Sequence, residues 1–168
     1  MAIPKSIDAR NKVRIARFRP SGRGRALQFL NECASAGLDV VVMEVERDDP
    51  KQLEHWQKGR RLDGGKWVVV GKTVTQARTA AETAHGRRGP RHDAGAAAFD
   101  FAKCTGEKTA DWSDPEFFRR CGEIGERLGF VWGGRFGESR PGAGDGWDGG
   151  HLELSGWRNF PLLPKGTP

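Results

Sequence analysis

The stretch Asp148-Gly-Gly-His151-Leu-Glu-Leu154 decides how the rest of the chain is read. The paired glycines predict a turn, and the apolar–polar alternation after them predicts a strand that closes the fold. A carboxylate three residues before a His, across such a turn, can face the same point as the imidazole. Two readings follow. The segment is a Gly-rich turn ahead of a strand, or His151 binds zinc while Asp148 accepts a proton from water activated by the metal.

A second carboxylate sits in an unusual place. Asp100 interrupts the small, apolar run Ala96–Ala102 between Phe99 and Phe101. An ionised carboxylate there costs several kcal/mol unless a metal ion, an Arg partner or an outward orientation relieves it. A His from the loop holding His85 and His92 would complete a two-His, one-carboxylate site with an open position, which is a catalytic zinc pattern. His55, beside Trp56 on a helix, reads as packing or surface.

The other elements are punctuated clearly. Ser21 is a candidate cap for an apolar-periodic helix that Gly37 ends, and Leu38–Val45 reads as a buried strand. Asp48-Asp49-Pro50 opens a second helix, and Gly64-Gly65 precedes a Val- and Thr-rich strand over Trp67–Thr75. Ser113-Asp114-Pro115-Glu116 opens a third helix, closed by Gly129. Residues 133–150 hold eight Gly and read as a long flexible binding rim. Helices and strands alternate without βαβ regularity, which predicts an α+β domain.

With 168 residues, the chain suits one domain. Three widely spaced Cys exclude a disulfide framework, and no apolar run matches a membrane span or a signal peptide. The expected origin is therefore a reducing cytoplasm. The net charge of +6 is uneven: residues 1–25 carry eight basic and one acidic side chain, the remainder 20 basic and 21 acidic. The expectation is a basic arm over residues 1–22, a tether to anionic outer-membrane lipid or a solvated segment, ahead of a single domain over residues 23–168. The confinement of charge to the arm argues against a nucleic-acid-binding protein.

Read together, these parts resemble the zinc D-alanyl-D-alanine carboxypeptidase and L-alanyl-D-glutamate endopeptidase family, which includes many phage endolysins. The resemblance rests on Arg47-Asp-Asp-Pro-Lys-Gln52, Trp56-Gln-Lys-Gly-Arg60, Val74-Thr-Gln-Ala-Arg78 and Thr83-Ala-His85. It continues through Gly95-Ala-Ala-Ala-Phe-Asp100-Phe101, Gly122-Glu-Ile-Gly125, Trp132-Gly-Gly134 and the closing Asp148-Gly-Gly-His151-Leu-Glu153, in the family's order over roughly residues 23–157. It implies a small antiparallel sheet with flanking helices and a zinc site of the hedgehog and D-Ala-D-Ala-peptidase kind.

The resemblance also implies roles. Zinc would be held by His85, Asp100 and His151, with Asp148 as general base and Arg47 stabilising the oxyanion; Gln52 supports Arg47, and Thr83 belongs to the signature before His85. One spacing departs from the family. His85 lies 15 residues and His92 eight residues before Asp100, and the family pattern is one residue shorter than the latter. His85 with an inserted loop over Arg88–Ala94 is the preferred reading, because a loop insertion costs little, and His92 is the alternative. The implied substrate is peptidoglycan stem peptide, cleaved by a monomer as an L-alanyl-D-glutamate endopeptidase or as a D,D- or L,D-carboxypeptidase. A non-catalytic zinc module of the same fold is the further alternative. Such an endolysin is made in the host bacterial cytoplasm and acts in the periplasm after holin-type release.

Overall fold

A computed structural model of the chain describes residues 5–106, 109–136 and 148–163. Strands β1 (Val40–Glu44), β4 (Ala98–Cys104), β6 (Phe130–Trp132) and β7 (His151–Leu154) form an antiparallel sheet in the order β1-β4-β7-β6. The short β5 (Ala110–Asp111) pairs with β4, and β2 (Arg60–Asp63) with β3 (Lys66–Val69) makes a separate hairpin. Helices α1 (Lys5–Ile15), α2 (Pro20–Ser35), α3 (Asp49–Gln57) and α4 (Pro115–Arg127) complete the described elements. The expected α+β class with an antiparallel sheet is what forms. No helix among the described residues is long and apolar enough to cross a membrane.

The two faces of β4 do different work, because side chains alternate along a strand. Phe99 and Phe101 point into the main core, where Phe29 meets both rings at centroid distances of 5.6 and 5.3 Å. Helices α2 and α4 cover that face. In α4, Gly122 and Gly125 lie against Trp132 and Leu152, and a Cβ at either would stand within 2.6 Å of them. The Gly-Glu-Ile-Gly pattern is thus a packing requirement. Cys33 and Cys121 meet in this core with sulfurs 3.9 Å apart, and all three cysteines are free.

The opposite face carries Asp100 and a smaller apolar cluster of Ile7, Val41 and Ala102. Part of the expected arm packs here. Residues 5–15 form α1, which lies on β1 with Ile7 and Ile15 buried. Asn11 is buried as well; its Nδ2 donates to Val40 O and its Oδ1 accepts from Val42 N, both at 2.9 Å. The physical reason is that Val41 and Ala102 need cover on that side of the sheet. The arm boundary near residue 22 falls inside α2. Several cations of residues 1–25 also have internal duties: Arg14 donates to Val42 O, Arg23 to Phe18 O, and Arg19 pairs with Asp93.

Other boundaries moved for local reasons. Helix α2 starts at Pro20 rather than behind a Ser21 cap, and the capping carboxylate comes from afar: Asp93 accepts Ser21 N–H at 2.7 Å and its hydroxyl at 2.8 Å. Asp48 and Asp114 do cap α3 and α4, each accepting a first-turn N–H at 2.9 Å. The strand expected over Trp67–Thr75 stops at Val69, where its four-residue partner β2 also runs out. The Gly-rich rim is a 3-10 turn over Gly133–Arg135; residues 137–147 lie outside the described residues.

Candidate metal centre

The register of the sheet builds the site. Asp100 stands opposite His151 across β4 and β7, and opposite Glu44 across β1 and β4. The Glu44 pairing depends on a bulge between Val42 and Glu44 that shifts β1 by one residue. Glu44, Asp100 and His151 therefore form one row on the face that α1 leaves open.

His85 reaches this row from a loop. Ala97 N donates to Ala84 O at 2.7 Å and Arg47 N to His85 O at 3.0 Å, which ties residues 84–85 between the end of β1 and the start of β4. The Thr83 hydroxyl donates to Ala80 O at 3.0 Å, closing the 3-10 turn that delivers His85. The departure in spacing has a simple account. Arg88 and Gly95 exchange reciprocal main-chain hydrogen bonds of 3.1 Å, so the intervening residues bud off as a closed loop. His92 sits exposed on that loop, on the 3-10 turn Arg91–Asp93, away from the site. His85 is 2 % exposed.

His85, Asp100 and His151 form the metal-capable group of the described residues. His151 Nδ1 is 2.9 Å from Asp100 Oδ1, and His85 Nε2 is 3.2 Å from Asp100 Oδ1 and 3.4 Å from His151 Nδ1. Each imidazole is oriented by its other nitrogen. His85 Nδ1 lies 2.7 Å from Val45 O, and His151 Nε2 lies 3.2 Å from Glu153 Oε2. A carbonyl and a carboxylate only accept, so these outer nitrogens carry the hydrogens. In the neutral rings the inner nitrogens present lone pairs towards Asp100, and three converging acceptors call for a cation. Outer hydrogen bonds of this kind fix ring orientation in metal sites. The donor set, two imidazoles and one carboxylate, fits zinc.

Glu153 in this role was missed by sequence reasoning, although strand alternation places it two residues after His151 on the same face. Arg47 holds the outer oxygen of Asp100, Nη2 to Oδ2 at 2.7 Å, and is held by Glu44 at 2.8 Å and by Gln52 Oε1 at 3.3 Å. Gln52 is buried and anchored in turn by Ala77 O at 2.7 Å. Arg47 thus bridges Glu44 and Asp100. His55 stands behind this chain, with Nε2 3.4 Å from Glu44 Oε2. Asp148 lies at the rim. His151 N donates to its carbonyl at 3.1 Å, and Trp132 Nε1 donates to Gly149 O at 2.9 Å, fixing the turn.

The charges follow this geometry. Burial opposes ionisation of Asp100, yet His85 and His151 hold its carboxyl well below the usual range. Burial likewise opposes a charged His151, but hydrogen bonds donated to Asp100 and Glu153 raise it to about 10. Asp148 is an exposed residue whose carboxyl is still hemmed in by the chain. That desolvation raises it most, His151 pulls it down and Asp100 pushes it up.

A raised imidazole pKa stabilises the fold fully below its ordinary value near 6.5, and the contribution is lost as pH rises through about 10. His151 therefore keeps a proton at neutral pH, which a metal ion bound there would have to displace. Calorimetric titration with zinc at pH 7.5, in buffers of different ionisation enthalpy, is expected to show release of about one proton per ion. Binding without proton release would contradict this arrangement.

No protein-family model matches the chain, and no curated protein is significantly similar to it. A solved structure is. The L-Ala D-Glu endopeptidase ChiX of Serratia marcescens superposes with a TM-score of 0.54 and 16% sequence identity, over 88% of this chain and 87% of that one. The likeness is one of fold.

Proposed function

We propose that the chain is a zinc-dependent peptidase that hydrolyses peptidoglycan stem peptides, as an L-alanyl-D-glutamate endopeptidase of the phage endolysin type. The observation that carries this reading is the inward convergence of His85 Nε2, Asp100 Oδ1 and His151 Nδ1, with both outer imidazole nitrogens hydrogen-bonded. It is supported by a fold shared with a protein described as an L-Ala D-Glu endopeptidase. In this reading His85, Asp100 and His151 hold zinc, and His92 does not.

A zinc ion held there supplies Lewis-acid polarisation of the scissile carbonyl and of water. The side chains do the rest. Asp148, whose carboxyl is raised above its ordinary value by burial, takes the proton of the attacking water and passes it to the departing amine. Arg47 keeps Asp100 Oδ2 occupied, so that Oδ1 faces the imidazoles, and places its permanent charge where negative charge develops on the carbonyl oxygen. Val45 O and Glu153 hold the two imidazoles in the required tautomers. As an endolysin it acts on the wall after release from the host cytoplasm.

Mass spectrometry of purified peptidoglycan digested by the zinc-loaded chain tests the reading. The expected products are peptides with a new N-terminal D-Glu, and their formation stops when zinc is chelated. Loss of terminal D-Ala alone would indicate a carboxypeptidase, and an intact wall after prolonged digestion would leave the non-catalytic zinc module.

A further inference from the structure

The nearly neutral charge of residues 26–168 conceals a strong local imbalance. Residues 58–78 carry six basic side chains, Lys58, Arg60, Arg61, Lys66, Lys72 and Arg78, against the single acid Asp63. This segment contains the β2–β3 hairpin, which pairs with no other strand among the described residues. Every residue from Arg61 to Lys72 is exposed.

The hairpin is apolar as well as cationic. Leu62 is 57%, Val69 65% and Val70 58% exposed, and Trp67 and Val68 are exposed beside them. Cross-strand register puts Leu62 opposite Trp67 and Arg60 opposite Val69 on one face, with Arg61 opposite Val68 on the other. Apolar groups therefore reach water on both faces. Exposed apolar surface of this density marks an interaction site. The finger is also built to stand out. Gly64 and Gly65 adopt φ of +53° and +79°, as a tight two-residue hairpin turn requires. Trp56 fixes the hairpin from one face, its ring meeting Trp67 edge-on at 5.4 Å and lying under Arg60 at 4.6 Å.

We propose that the β2–β3 hairpin docks the protein on an anionic lipid surface. Leu62, Trp67, Val69 and Val70 enter the headgroup layer, and Arg61, Lys66 and Lys72 face lipid phosphates. A flat protein partner would cover one face of the hairpin, whereas a lipid interface surrounds both. Two copies of so cationic a finger repel each other. Nucleic acid offers phosphates but nothing to cover branched aliphatic side chains. Cations combined with apolar and Trp side chains are the pattern of interfacial anchoring. This assigns the lipid contact to the hairpin rather than to the N-terminal cations, many of which are engaged inside the fold.

The test is co-sedimentation of the full chain with phosphatidylglycerol–phosphatidylethanolamine vesicles and with phosphatidylcholine vesicles. Binding is expected to the anionic vesicles only, weakening as salt is raised. L62S/V69S is expected to reduce partitioning about tenfold, and R61E/K66E about 20-fold or more. All four positions are exposed, so melting temperatures should match the unaltered chain. K12E/R17E, on α1 and in the turn after it, is expected to change partitioning less than about threefold. Equal binding to both vesicle types, no binding, or loss with K12E/R17E but not with the hairpin variants would overturn the proposal. So would capture of duplex DNA by the hairpin without vesicle binding.

Discussion

Replacing His85 with Ala is expected to abolish peptidoglycan hydrolysis, by about 1000-fold or more, together with tight zinc binding, while His92→Ala leaves both unchanged. The expectation follows from what each imidazole touches. His85 is buried, its Nδ1 is bonded to Val45 O, and its Nε2 completes the triangle with Asp100 and His151. Removing it leaves two protein ligands and forfeits several kcal/mol of metal-assisted stabilisation, each 1.4 kcal/mol being a factor of ten in rate. His92 stands exposed on the loop that the Arg88–Gly95 hydrogen bonds close off. The comparison is made by hydrolysis rate and bound zinc, with circular dichroism to show that both variants fold. Loss of activity in His92→Ala with retention in His85→Ala would reverse the assignment.

Asp148→Asn is the second large effect. The amide keeps the shape of the carboxylate but cannot take up a proton. The turnover number is expected to fall about 10²- to 10⁴-fold, with zinc content unchanged and KM altered only a few-fold. That split separates a general base from a ligand. Loss of zinc in this variant would make Asp148 part of the metal shell, and unchanged turnover would remove it from the chemistry.

Much of this site was legible because its parts are local. Asp48 and Asp114 announce their helices by capping chemistry that needs only the next three residues. The strand over His151–Leu154 shows in its alternation, and Asp100 shows as a charge in an apolar run. What stayed open depends on contacts distant in sequence. The choice between His85 and His92 rests on the Arg88–Gly95 closure, and the Glu44–Asp100 pairing on a bulge that no periodicity reveals. The hairpin read simply as strand, since Val and Thr run together there whether or not anything covers them.

The basic arm illustrates the same division. Its charge dominates any composition count, but its structure is decided by Ile7 against Val41 and Ala102, by Asn11 bonded to the β1 backbone, and by Ile15 in the main core. Removing residues 1–20 would uncover that face of the sheet, so such a truncation probes folding as much as delivery.

X-ray absorption at the zinc edge of the zinc-loaded chain probes the metal centre itself. One zinc per chain is expected, with only nitrogen and oxygen neighbours at about 2.0–2.2 Å and the outer-shell signature of two imidazoles. Sulfur scattering at about 2.3 Å, a single imidazole, or no stoichiometric zinc would contradict it.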